Sequence, residues 1–297
     1  MWTSQQILRR SSNLNSNVVS LADRALSVYR EDGAIILTKK TLRKLYTECY
    51  SRAISARGGY SLTLGDQTVE FSALTPTLVR RNRQRFYSEF EEIRDFLKSI
   101  ENEDDVVYDI GANTGLYSLF AAKVCHQGTV VAFEPYPPNV RVLRQDIDRN
   151  SLDNVTIVES ALSDSVGEIE FSQPKEDDIG YGSSSINVKE DGEALTLPTT
   201  TVDTLIADGE IPPPNVVKID VEGAEPLVID GMKEALANPS CRVLYCEVHL
   251  PGISKRPSIE DFGSSPKELR AKLEELGFSV QQMRTEGDVE LTIKATK

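Results

Sequence analysis

Asp109-Ile110-Gly111-Ala112-Asn113-Thr114-Gly115 sets an aspartate near the end of an apolar run, Val106 to Ile110, with two glycines around an asparagine just beyond it. Such a run reads as a buried strand. Small residues in the turn after it let a ligand come close to the backbone, next to the N-terminus of the following helix. In a dinucleotide-binding turn the ligand group is a pyrophosphate, which a carboxylate at the strand end would repel. Asp109 therefore favours a cofactor of opposite charge, and the ammonium and sulfonium of S-adenosylmethionine fit that description. Glu134 closes the next apolar run, Val130 to Phe133, 19 residues after Gly115. An acidic side chain there can accept hydrogen bonds from both hydroxyls of an adenosine ribose. Ala161 and Leu162 follow a third run, Val155 to Ser160, and in a sheet wound this way they lie where an adenine ring would rest.

Two further runs carry polar groups that could act on a substrate. In Val216 to Glu222, an extended strand would turn Lys218, Asp220 and Glu222 to one face. Asp220 then falls near the crevice at the carboxyl ends of the strands, where open α/β sheets bind ligands. A lysine inside an apolar strand is costly unless paired, so Lys218 is expected to have a carboxylate neighbour. Glu247 and His249, two apart at the end of Arg242 to Val248, share one face of the same crevice. His249 is one of only two histidines; the other, His126, sits in a polar turn and reads as a surface residue. Methyl transfer to a hydroxyl needs the oxygen aligned with the sulfonium and its proton removed. His249 suits the role of base or orienting group, with Asp220 and Glu247 holding the hydroxyl or the base.

The elements that must position these residues alternate strand and helix from residue 106 onward, the pattern of a mostly parallel sheet covered on both faces. Helices are expected at 115–125, 138–149, 201–207, 225–237 and 265–276. A short strand at 167–171, a polar loop from Ser172 to Gly192 that includes Gly180 to Ser185, and a strand at 195–199 interrupt the alternation. A loop of that length suits either a lid or a surface insertion. Runs from Phe278 and Val289 form a closing hairpin around Glu286 to Asp288. Ahead of the alternation, helix-spaced apolar residues recur in Leu21 to Tyr29 and Leu42 to Tyr50. Runs at 60–64 and 68–72 then read as a β-hairpin, and Phe86 to Ile100 as one amphipathic stretch. The expected division is an N-terminal helical and β-hairpin extension over 1–100 and a cofactor-binding domain over 101–297.

Composition narrows the choices. Of 297 residues 39% are hydrophobic and 27% charged, an ordinary globular balance. The first 100 residues carry 16 Lys/Arg and 10 Asp/Glu, which leaves 17 and 36 for the other 197. So acidic a main domain repels polyanions, which argues against nucleic acid as substrate. A basic front segment is compatible with peripheral membrane contact, and a lid, a dimer surface and a membrane-facing platform all remain open for it. Four cysteines without a CxxC spacing suggest reduced thiols in a cytoplasm and no metal site. No apolar run approaches the ~20 residues of a membrane span, and Met1 to Arg10 lacks the core of a signal peptide.

With these residues on view, the chain resembles the FkbM family of methyltransferases. Five stretches carry the likeness: Tyr108 to Gly115, Ala132 to Pro135, Ala161 to Asp164, Lys218 to Glu225 and Cys246 to His249. The resemblance implies a Rossmann-like class I methyltransferase fold, mostly parallel with a C-terminal antiparallel hairpin. It also implies O-methylation of a hydroxyl on a sugar, glycan, glycolipid precursor or similar small molecule. The other readings are an NAD-linked oxidoreductase of similar topology and a non-catalytic adenosylmethionine-binding module. A base methyltransferase would want an aromatic residue to stack a flipped base, where this chain has Asp220 to Gly223. A homodimer is compatible with the sequence.

Overall fold

The computed structural model describes residues 39–172, 179, 194–253, 256–286 and 288–297. The helical stretch expected at Leu21 to Tyr29 and most of the Ser172 to Gly192 loop, Gly180 to Ser185 included, lie outside the described residues. The chain forms two compact units. The smaller, described over 39–60 with Ala73–Arg80, contains α1 (Lys39–Ser55). Its core is Ile54, Ala73 and Val79, with Tyr60 packed against them. The larger comprises Ser61–Ser72 and Arg81–Lys297, so the hairpin β1 (Gly59–Leu64) and β2 (Gln67–Ser72) pairs largely within it.

The amphipathic stretch expected at Phe86 to Ile100 covers the end of one helix and the whole of the next, α2 (Pro76–Ser88) and α3 (Phe90–Lys98). Helical geometry fails at Glu89, whose ψ is 12°. The main alternation follows: β3 (Val106–Ile110), α4 (Leu116–Val124), β4 (Thr129–Phe133), α5 (Pro137–Arg149) and β5 (Val155–Val158). Next come the short β6 (Ala161–Leu162), β7 (Gly167–Ser172), β8 (Ala194–Thr200), α6 (Val202–Ala207) and β9 (Val216–Ile219). The helix expected at 225–237 is divided into α7 (Glu225–Asp230) and α8 (Lys233–Ala237). Gly231 marks the break; a Cβ there would lie 2.0 Å from the Ser163 carbonyl oxygen, so the chain turns where it meets the residue after β6. The chain closes with β10 (Val243–His249), α9 (Pro266–Glu275), β11 (Ser279–Glu286) and β12 (Glu290–Thr296).

Seven strands form the central sheet in the order β11-β12-β10-β9-β3-β4-β5. β10, β9, β3, β4 and β5 run parallel, while β12 is antiparallel to both β10 and β11. The closing hairpin thus places its second strand inside its first, next to β10. A separate three-stranded sheet has the order β6-β8-β7. The sequence winds outward from β3 to β5 and then returns to the other side of β3 with β9. That reversal opens a crevice at the carboxyl ends of β3 and β9.

One face of the sheet buries Tyr108, Ile110, Val131, Phe133, Val217, Ile219, Leu244 and Cys246 in a core with Val228, Ile229 and Leu236. Each such side chain contributes roughly 1.5–3 kcal/mol of transfer free energy, so the sheet is a rigid base for whatever its ends carry. On α4, Phe120 stacks on Phe86 and tilts against Phe71, joining α2 and the hairpin to the sheet. Asp146 of α5 accepts from the Ser72 N–H at 2.8 Å and the Ser72 hydroxyl at 2.5 Å. Asn150 accepts from the Glu70 N–H and donates to the Glu70 carbonyl, at 2.9 and 2.7 Å. The hairpin edge is thereby satisfied by α5.

Gly111 makes the tightest approach in the crevice. Its φ is +81°, and a Cβ would lie 1.9 Å from the Asp220 carbonyl oxygen. Gly111→Ala should therefore cost at least about 2 kcal/mol in denaturant unfolding, because both backbone strain and a backbone clash must be relieved; an unchanged midpoint would show that the turn can move aside.

Candidate active site

The turn after β3 is built from left-handed residues: Gly111, Asn113 at φ 54° and Gly115 at φ 88°. Five consecutive N–H groups in it are already bonded inside the protein. Those of Gly111 and Ala112 donate to the Phe133 carbonyl, each at 3.0 Å, and that of Gly115 to the Ala112 carbonyl at 2.8 Å. Asn113 donates to Glu134 Oε2 at 2.8 Å, and Thr114 to Asn113 Oδ1 at 2.8 Å. A diphosphate is held by free N–H donors in a turn of this kind, and these five have none to give. What the turn presents is the Glu134 carboxylate. Glu134 also accepts from the Tyr136 N–H at 2.9 Å and Asn139 Nδ2 at 3.4 Å. Burial pushes its carboxyl up to about 7. Carboxylate oxygens keep lone pairs beyond these bonds, so this acceptor suits ribose hydroxyls and does not suit phosphate.

Asp109 lies deeper than its place in the sequence suggested, at 1% exposure. Its Oδ2 accepts from the Ser118 hydroxyl of α4 at 2.5 Å. Its Oδ1 is buried without a hydrogen-bond partner, 3.8 Å from Lys218 Nζ. The two residues are cross-strand partners in the β3–β9 ladder. Lys218 thus has the carboxylate neighbour its apolar strand demands, and a second in Asp220, 3.1 Å away. Burial alone would lower the Lys218 ammonium, but Asp220 and Asp109 outweigh it and hold it above the usual lysine range. Its Nζ also stands 4.6 Å from the centre of the Tyr117 ring. The nearest positive charge to Asp109 is therefore the protein's own lysine.

Beyond Ile219 the strand does not continue, so Asp220 and Glu222 do not share a strand face with Lys218. Glu222 takes a left-handed φ of 51°. This turn and the end of β10 place four carboxylates around one histidine. His249, 1% exposed, shares a 2.6 Å hydrogen bond between Nδ1 and Glu225 Oε1. Glu225 is itself fixed by the Gly223 N–H at 2.8 Å. His249 Nε2 faces Glu247 Oε1 at 3.6 Å, Glu222 Oε2 at 3.7 Å and Asp220 Oδ1 at 3.9 Å. Burial works against charge on the ring, but Glu225, Glu222 and Asp220 outweigh it and push His249 up to about 9. An imidazolium donates and cannot accept a proton, so this environment favours orienting over abstraction.

The carboxylates differ among themselves. Arg85 of α2 donates to Asp220 Oδ2 at 2.6 Å. Burial would raise Asp220, but Lys218, Arg85 and His249 hold it well below the usual carboxylate range. Burial, then Asp220 and Glu290, push Glu247 well above that range. Burial, opposed by His249 and Arg256, brings Glu222 to about 7. Glu247 and Asp220 are thus displaced in opposite directions.

Asp109, Gly111, Asn113, Gly115 and Glu134 gather on the β3 and β4 side of the crevice, and Asp220, Glu247 and His249 on the β9 and β10 side. Ala161 and Leu162 are both 5% exposed and pair with β8; Leu162 packs in the main core. His126 is exposed, 3.6 Å from Glu103. Arg85, Glu222 and Glu225 were not singled out from sequence as site residues. The two glutamates lie in the Lys218 to Glu225 stretch and were within reach of it. Arg85 sits in a basic helix with no local mark to separate it from its neighbours. The four cysteines are free thiols, three of them buried. Among the described residues no helix is long and apolar enough to cross a membrane.

A family model described as the methyltransferase FkbM domain matches residues 109–280. Hexuronic acid methyltransferase AglP of Haloferax volcanii is 32% identical over 201 residues, which is 68% of this chain and 74% of that protein. The 31-O-demethyl-FK506 methyltransferase FkbM of Streptomyces tacrolimicus is 27% identical over 172 residues, 49% of this chain and 65% of its own length. The 2-O-methyltransferase NoeI of Sinorhizobium fredii is 28% identical over 171 residues, 52% and 67% of the two chains. Among solved structures, methyltransferase FkbM from Methylobacillus flagellatus KT superposes with a TM-score of 0.45 at 11% identity, covering 87% of this chain and 60% of that one.

Lys218→Met keeps most of the apolar stem of the side chain and removes its charge, leaving Asp109 and Asp220 buried with one cation fewer. Breaking a buried pair in this way costs about 3–5 kcal/mol, to be read from urea denaturation; a loss under about 1 kcal/mol would mean that the two aspartates do not depend on it.

Proposed function

The chain belongs to the FkbM family of methyltransferases, an S-adenosylmethionine-dependent group, and from that premise we propose that it methylates a hydroxyl of a sugar, as a free acid or within a glycan. The observation that carries the proposal is the histidine–carboxylate cluster at the ends of β9 and β10, across the crevice from the glycine turn. S-adenosylmethionine supplies an electrophilic methyl group. Glu134 would hold the ribose hydroxyls, with Asn113 and the glycines 111 and 115 shaping the turn, and Ala161 and Leu162 would lie toward the adenine. Asp109 acts through Lys218 and Ser118 to fix the turn and the charge behind it.

Across the crevice, the acceptor hydroxyl would be oriented by His249, locked through Nδ1 by Glu225. Its proton would pass to the cluster, with Glu247 at the end of β10 as the proposed acceptor and Asp220, paired with Arg85 and Lys218, as its ionised neighbour. Alignment and proton removal are what this transfer requires of a protein. The relative AglP, by its name, acts on a hexuronic acid, so a uronic acid is the first acceptor to try. Incubation with isotopically labelled S-adenosylmethionine and a panel of uronic acids, neutral hexoses and glycans, read by mass spectrometry, tests the reading. Label on a hydroxyl supports it, and label on nitrogen, on carbon or on none of these acceptors refutes it.

Replacing His249 by alanine should lower kcat by about a hundredfold or more while cofactor affinity stays within a few-fold; equal losses in both would place His249 outside the chemistry. Glu134 accepts both ribose hydroxyls only when ionised. With its carboxyl near 7, cofactor affinity should climb as pH rises from about 6 to 8 and then level off. Calorimetry on Glu134→Gln should give a weaker and flat profile; an unchanged slope would assign the titration elsewhere.

A further inference from the structure

We infer that Asn82 of α2 is a further cofactor-binding residue, which donates its side-chain N–H to the carboxylate at the methionine end of S-adenosylmethionine. The inference rests on the family's cofactor and is independent of the acceptor chosen above. The methionine end is a zwitterion beside a sulfonium, so it brings an anion as well as cations. Its cationic groups suit an acidic crevice. Its carboxylate needs donors, and the five N–H groups of the turn after β3, from Gly111 to Gly115, are all committed within the protein. A donor must therefore come from another element lying against the turn.

That element is α2. Asn82, Arg85, Phe86 and Glu89, the last just past the helix end, recur at the spacing of one helical face. Each makes a contact around the crevice. Asn82 Oδ1 accepts from the Thr114 hydroxyl at 3.2 Å, and Arg85 donates to Asp220 at 2.6 Å. Phe86 stacks on Phe120 of α4, and Glu89 accepts from the Tyr117 hydroxyl at 3.1 Å. The carboxamide of Asn82 is thereby held against the glycine turn itself.

Asn82 is 5% exposed, and its Nδ2 is buried with no hydrogen-bond partner. An amide hydrogen buried in this way is costly, and folded proteins almost always supply it with an acceptor. Among the described residues two other buried side-chain nitrogens lack a hydrogen bond, the Nε atoms of Arg242 and Arg256. Each of these already faces a carboxylate, Glu101 at 3.6 Å and Glu222 at 4.0 Å. Asn82 Nδ2 is left over, beside Thr114 of the cofactor turn. A carboxylate arriving with the cofactor would satisfy it through a charge-assisted hydrogen bond, the stronger kind. No local spacing marks Asn82, which lies 32 residues ahead of Thr114.

The test is calorimetry on the full chain without acceptor, comparing S-adenosylmethionine with its decarboxylated analogue, two ligands that differ in the carboxylate alone. The parent should bind S-adenosylmethionine the more tightly. Asn82→Ala should weaken that binding by roughly 10-fold or more, the size of a hydrogen bond to a charged group, and leave the analogue within about twofold. Asn82→Asp, which sets like charge against the carboxylate, should weaken S-adenosylmethionine further and not the analogue. A thermal melt of each variant shows that it is folded. Equal losses for both ligands in a folded variant would reduce Asn82 to a support for the turn and overturn the inference, as would unchanged affinity for S-adenosylmethionine. Discrimination that depends on Asn82, with no methyl transfer to any sugar, keeps the inference and refutes the acceptor reading.

Discussion

A buried ammonium holds the centre of this molecule together. Lys218 lies on β9 opposite Asp109 of β3, one of the places where the sheet reverses its winding, and Asp220 and the Tyr117 ring close the other sides. A lysine so enclosed survives only because its charge is matched at once by two carboxylates. The match fixes how the turn after β3 stands relative to the end of β9. Gly111 then meets the Asp220 backbone with no room for a side chain. A buried pair of this kind adds little net stability, and its use here is to set geometry.

From that fixed point two chemically different walls face each other. On one, a turn has its N–H groups spent internally and shows a carboxylate, which accepts hydroxyl donors and rejects phosphate. On the other, anions are crowded around a histidine. Because the carboxylates are not equivalent, the cluster holds Asp220 well below the usual carboxylate range and Glu247 well above it. The difference arises from partners: Arg85 and Lys218 reach Asp220, and neither hydrogen-bonds Glu247.

Much of the fold was legible from local pattern. Apolar runs separated by helix-spaced segments gave the parallel strands, and the turn chemistry gave both hairpins. The parts that were not legible depend on distant contacts. Glu89 divides one amphipathic stretch into α2 and α3, and Gly231 breaks another helix where it presses on the Ser163 backbone. The hairpin and the end of α2 pack with the larger unit, although composition grouped them with the basic front of the chain. On the site, the glycine turn, Glu134, Asp220, Glu247 and His249 could be chosen because strand ends in an α/β sheet converge on one crevice. The direction of Asp109 could not be chosen, since alternation along a strand does not tell whether a buried carboxylate meets a ligand or a lysine.

The sequence by itself determined the order of elements, the residues at the carboxyl ends of the strands and the kinship to methyltransferases, because each follows from spacing along one chain. Only the tertiary structure decided which charges meet. Arg85 arrives at Asp220 from 135 residues away, and Glu225 reaches His249 across 24. Electrostatic partners are set by distance in space and by the water excluded between them, and neither quantity is written in local spacing.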